Sequence, residues 1–139
     1  MTRFTEVALL YSKITRSIRV DVKPYYLEDQ SSPSDHRYVW AYHVRIENQG
    51  GETVQLRRRH WHITDELGRV QEVRGPGVVG EQPVLAPGQS FEYTSGTPLA
   101  TPSGIMVGSY EMELPNGECF AVAIPAFSLD TPNQPRQLN

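Results

Sequence analysis

The chain has 139 residues, a formal net charge of −3, a mean hydropathy of −0.46 and a single cysteine. That length suits one domain able to build its own core, so two independent domains and a disulfide or zinc framework are not expected. The small negative charge provides no global positive field, which excludes nucleic acid as the main ligand and requires any anion site to be local.

Cys119 has no intrachain partner to oxidise with, which fits a reducing, cytoplasmic setting. The apolar run Val7 to Tyr11 follows Glu6 and precedes no small-residue cleavage pattern, so no secretory signal is expected. Nothing further along approaches the roughly 20 apolar residues of a membrane span, and no membrane partner is expected.

Beyond residues 1–16, taken as an N-terminal extension, the signal is period-two alternation between turn residues. Ile18, Val20 and Val22 alternate with Arg19, Asp21 and Lys23. A polar loop, Glu28 to His36, follows. Trp40, Tyr42, Val44 and Ile46 then share one parity, against Val39, Ala41, His43, Arg45 and Glu47 on the other, as in a central strand. Asn48 to Gly51 reads as a hairpin turn leading to a strand that begins near Thr53.

In that strand Val54 and Leu56 have one parity and Trp61 and Ile63 the other, which predicts a β-bulge within Arg57 to Arg59. Leu85-Ala86-Pro87-Gly88 predicts a tight turn into Phe91 and Tyr93. Tyr110, Met112 and Leu114, turned by Pro115-Asn116-Gly117 into Phe120, Val122 and Ile124, predict a hairpin. The tail, 131–139, lacks the apolar residues to offset its ordering entropy and is expected to be flexible. About seven strands over 17–130 predict an all-β fold, an antiparallel β-sandwich of immunoglobulin or fibronectin type III kind.

Several motifs occur in one order: Ser31-Ser32-Pro33, Arg59-His60-Trp61, Ile63-Thr64-Asp65, Val73 to Gly80, Glu92 to Gly96, and Gly108-Ser109-Tyr110-Glu111-Met112. Together they resemble the ApaG (CorD) family from about Ile18 to Phe127. The resemblance implies a fibronectin type III-like domain in a bacterial protein of undefined molecular function. It also implies an association with cobalt and magnesium tolerance, gene proximity to a diadenosine tetraphosphate hydrolase, and a protein-binding role in related eukaryotic domains.

Gly75-Pro76-Gly77-Val78-Val79-Gly80 has dinucleotide-fingerprint spacing, but no βαβ unit surrounds it and Glu81-Gln82-Pro83 argues against a following helix. What remains is an anion nest of backbone amides at Gly75, Gly77 and Gly80, with Arg74, Arg58 and Arg59 adding charge for a nucleotide or pyrophosphate. The competing reading is a wide glycine turn.

Arg57-Arg58-Arg59-His60-Trp61-His62 is the densest basic and aromatic run, with Trp61 placed in the core rather than under a ligand. His60 and His62, with His43 on a neighbouring strand, are weak metal candidates because no carboxylate stands at ligand spacing beside them, and no metal or cofactor is expected. Cys119 reads as a small buried hydrophobe, and no nucleophile elbow or carboxylate pair is visible. The leading expectation is a non-enzymatic module for protein–protein interaction, with edge strands available for a homodimer. A nucleotide sensor and a divalent-metal phosphohydrolase are the alternatives.

Overall fold

The computed structural model describes residues 4–6 and 10–132. Its strands in chain order are β1 (Phe4–Glu6), β2 (Tyr11–Thr15), β3 (Ile18–Leu27), β4 (Tyr38–Asn48), β5 (Val54–Asp65), β6 (Val70–Pro76), β7 (Val84–Leu85), β8 (Ser90–Leu99), β9 (Ser103–Glu113) and β10 (Cys119–Asp130). Two short 3-10 turns, at Glu28–Gln30 and Pro33–Asp35, lie between β3 and β4.

Every ladder is antiparallel. β3, β4 and β8 form one sheet, with β1 and β2 both pairing β3; β10, β9, β5 and β6 form the other, with β7 pairing β5. The seven long strands are thus split into groups of three and four, the strand order of a fibronectin type III-like sandwich.

The inner faces follow the alternation. Val20, Val22, Trp40, Val44 and Ile46 from one sheet meet Leu56, Trp61, Met106, Tyr110, Met112, Val122 and Phe127 from the other, all at 2% exposure or less. Burying each such side chain contributes roughly 1.5–3 kcal/mol relative to leaving it in water. Trp61 packs edge-on against Tyr42 and Phe127, which places it in the core as expected. Val39 and Ala41 have the outward parity yet are buried, in a second small cluster with Leu27. Ser31 ties the neighbouring loop there, accepting from Val39 N and donating to Leu27 O, both at 2.8 Å.

The expected bulge is present. Leu56 pairs with Met112 and Arg58 with Glu111, leaving Arg57 as the extra residue, so Val54, Leu56, Trp61 and Ile63 all point inward despite their change of parity.

The expected hairpin at 48–51 is corrected. β4 pairs with β3 and β8, β5 pairs with β6, β7 and β9, and the link between them crosses from one sheet to the other. Asn48, 1% exposed, holds this corner: its Nδ2 donates to Glu52 O (2.7 Å) and Leu85 O (2.9 Å), and its Oδ1 accepts from Gly50 N (2.9 Å). A buried amide with its bonds made specifies a unique path for the chain.

The β9–β10 hairpin forms as expected, with Gly117 at φ +88°. Residues 11–15 of the expected extension form β2. Its Thr15 Oγ1 and Tyr11 OH accept from Ala123 N (3.2 Å) and Ser128 N (3.4 Å), covering part of the β10 edge. The tail residues 133–139 lie outside the described residues.

Candidate functional site

The bulge sorts the basic strand into two populations. Arg58, His60 and His62 project from the outer face of the four-stranded sheet, while Arg59 shares the inward parity of Trp61 and Ile63. Arg57, freed by the bulge, donates from Nε to Glu113 Oε1 (2.6 Å) and from Nη1 to Gln82 Oε1 (2.9 Å).

Arg59 defines the glycine segment. Its Nη1 donates to Pro76 O and Gly77 O, both at 2.9 Å. A Cβ on Gly75 would lie 3.0 Å from both Arg59 Nη1 and Nη2, so glycine here makes room for the guanidinium. Gly77 has φ +61°, and a Cβ there would stand 2.2 Å from Glu81 O, a clash that excludes any side chain.

The Gly77 amide of the expected nest is committed within the fold, donating to Arg57 O, and the neighbouring Val78 N donates to Glu81 O, each at 2.8 Å. Val78 is fully buried. Gly80, at φ +82°, is exposed at the tip of the turn. Arg74, Gly75 and Pro76 belong to β6 and pair with His60, Arg59 and Arg58. The loop thus turns carbonyls toward an arginine, and an anion on the Gly77 and Val78 amides would have to displace existing bonds.

Below Arg59 lie three phenols. Tyr93 OH and Tyr110 OH share a short hydrogen bond. Burial pushes the pKa of Tyr42, Tyr93 and Tyr110 above the ordinary tyrosine value, and the Arg59 charge partly offsets this at all three.

Outside, Arg58, Arg74 and His60 flank a groove of about 400 Å³ floored by Gly75, Ser109 and Ala121. The sheet register puts Ala121, Glu111 and Arg58 in one row and Ala123, Ser109, His60 and Arg74 in the next. Arg58 stands 3.7 Å from Glu111 and Arg74 3.4 Å from Glu72. Along the same face Val70, Ile105 and Val107 are exposed at 58%, 53% and 40%.

His60 and His62 meet Glu72, the β6 partner of His62. His62 Nε2 is 3.5 Å and His60 Nε2 3.8 Å from Glu72 carboxylate oxygens, the two rings are 4.6 Å apart, and one ligand atom from each residue lies within 4.8 Å of the others. His43 is not part of this cluster. It projects from β4 in the other sheet, where Thr94 Oγ1 (2.8 Å) and Glu92 Oε1 (2.9 Å) hold its ring. Sequence reasoning missed Glu72 because its partnership with His62 exists only through the β5–β6 register.

Cys119 is exposed rather than buried, since it opens β10 beside the outer face. Desolvation, then Glu111 and Glu113, push its thiol pKa up.

The ApaG domain model matches residues 28–114, spanning β4 to β9 and so three of the four groove strands, with β10 beyond it. The chain belongs to the ApaG family. It is 68% identical over 130 residues to Protein ApaG of Paramagnetospirillum magneticum, covering 94% of this chain and all of that protein. With Protein ApaG of Rhodospirillum centenum it shares 72% identity over 124 residues, covering 89% of this chain and 95% of the relative. The crystal structure of an ApaA protein from Bordetella pertussis superposes with a TM-score of 0.82 at 51% identity, covering 88% of this chain and all of that one. Among the described residues, no helix is long and apolar enough to cross a membrane.

Proposed function

We propose that this ApaG-family chain is a non-enzymatic recognition module of the bacterial cytoplasm that takes an acidic segment of a partner protein in the groove on its four-stranded sheet. The observation that carries this reading is the pair of loosely engaged arginines at the groove. Arg58 and Arg74 have side chains 76% and 70% exposed, and their own carboxylates stand 3.7 and 3.4 Å away, so both guanidiniums retain donors for a carboxylate. The small side chains of Ser109 and Ala121 let an extended segment approach the sheet, and Val70, Ile105 and Val107 supply apolar contact beside it. The upward shift of the Cys119 thiol favours recognition over thiolate chemistry.

The test is a nuclear magnetic resonance titration of the full chain with a hexaglutamate peptide and, separately, with inorganic pyrophosphate. Saturable, salt-weakened shifts at Arg58, Arg74, Ser109 and Ala121 with the peptide, lost in R58E/R74E, are the expected result. No saturable shift at millimolar peptide, roughly the weakest useful affinity, overturns the reading. Saturation by pyrophosphate alone would replace the acidic segment with a phosphate ligand, the nucleotide-sensor alternative.

A further inference from the structure

We propose that His60, His62 and Glu72 form a binding site for a divalent transition ion of the zinc class. Two imidazole nitrogens and one carboxylate oxygen are the borderline donor set that suits such ions, and three protein ligands leave a fourth position for water.

The geometry needs little adjustment. Around a tetrahedral zinc with bonds of about 2.0–2.1 Å, neighbouring ligand atoms stand about 3.3 Å apart. His62 Nε2 stands 3.5 Å from Glu72 Oε1 and His60 Nε2 3.8 Å from Glu72 Oε2, so rotation about side-chain bonds would bring one carboxylate oxygen to both imidazoles. The backbone supports this: His60 and His62 are two residues apart on one face of β5, and Glu72 lies directly across the ladder from His62. All three residues lie within the β5–β6 ladder rather than in a loop, with β6 the edge strand of its sheet, and sites carried on strands hold their ligands at fixed separations.

A second, independent observation points to an absent partner. His60 Nε2 is withdrawn from water yet has no hydrogen-bond partner, although buried polar atoms are nearly always bonded. Glu72 at 3.8 Å is too far to bond it, and a cation between them would satisfy both. Arg74, whose Nη2 lies 3.4 Å from Glu72 Oε2, competes for the same carboxylate and would swing toward the groove when an ion binds. The ion site does not depend on the groove's occupant.

Calorimetric titration of the tag-free full chain with zinc chloride, with calcium chloride as the hard-cation control, tests the proposal. One saturable zinc equivalent is expected, no calcium response, and movement of the His60 and His62 ring resonances. H62A and E72Q should each lower zinc affinity by roughly 100-fold or more, because a direct ligand matters at least as much as the outer-shell groups whose loss costs 10–100-fold. H43A and C119S should leave it unchanged. E72Q keeps the size of the side chain at an exposed position, so its zinc-free melting temperature should match the parent and separate ligand loss from misfolding. Absence of saturable zinc binding in the parent, or binding that survives H62A and E72Q, overturns the site.

Discussion

The outer faces of the two sheets share an architecture and differ in how completely their polar groups are paired. On the β3–β4–β8 sheet, Arg19 meets Asp21 at 2.9 Å, Gln49 meets Glu47 at 2.8 Å, and His43 is held between Thr94 and Glu92 at 2.8 and 2.9 Å. On the four-stranded sheet, Arg58, Arg74, His60 and His62 stand 3.4–3.8 Å from their carboxylates, and His60 Nε2 has no partner. Arg57 with Glu113 at the bulge and Arg69 with Asp65 at the end of β5 are tight exceptions, both at 2.6 Å. Donors and acceptors that are satisfied locally have little to gain from a ligand. Those left loose gain a full partner, so the second face is the one to probe.

Both faces rest on one core, and the largest expected effect is its loss at high pH. Tyr42, Tyr93 and Tyr110 have pKa values raised by burial, so above about pH 10 the unfolded chain releases protons that the folded one retains. Their contribution to stability is therefore complete below that pH and lost as the pH rises. Of the seven tyrosines, three should contribute tyrosinate absorbance only together with unfolding; absorbance for all seven in a chain still folded by circular dichroism would refute their burial.

Next comes Arg59, which anchors β6 from inside. Arg59→Ala should cost roughly 2–3 kcal/mol in chemical denaturation, since it removes two charge-assisted bonds to Pro76 O and Gly77 O and opens space beside Gly75. A loss under about 0.5 kcal/mol would reduce it to an ordinary surface arginine.

R58E/R74E should weaken acidic-peptide binding at least tenfold, about 1.4 kcal/mol, while stability moves by less than about 0.5 kcal/mol. Charge changes of the same size at Arg19 and Arg45 on the other face should leave peptide binding alone; an equal loss there would erase the contrast between faces. Smallest of all, His43→Ala should cost about 0.2–1 kcal/mol by thermal melting, the range of an exposed pair.

Much of the fold was legible because alternation is a local property. Trp40, Tyr42, Val44 and Ile46 face the core as their parity indicated, and the parity break in β5 located the bulge within Arg57 to Arg59, where the register puts it at Arg57. The site was less legible. The GxGxxG spacing drew attention to Gly75 and Gly77, but spacing cannot reveal that Arg59 occupies the room they leave, or that Gly77 N is already bonded to Arg57 O. His43 and Cys119 were misplaced for a related reason: which sheet a strand joins, and how close a strand end lies to solvent, depend on distant partners.

By itself the sequence determined the sandwich, the family and the core position of Trp61, because a period of two assigns faces without reference to the rest of the chain. Only tertiary structure decided that β5 crosses away from β4 at Asn48, that Arg59 turns inward to the glycine segment, and that Glu72 meets the histidines. Those outcomes depend on register and on choice of sheet, and both are settled by packing between residues far apart in the chain.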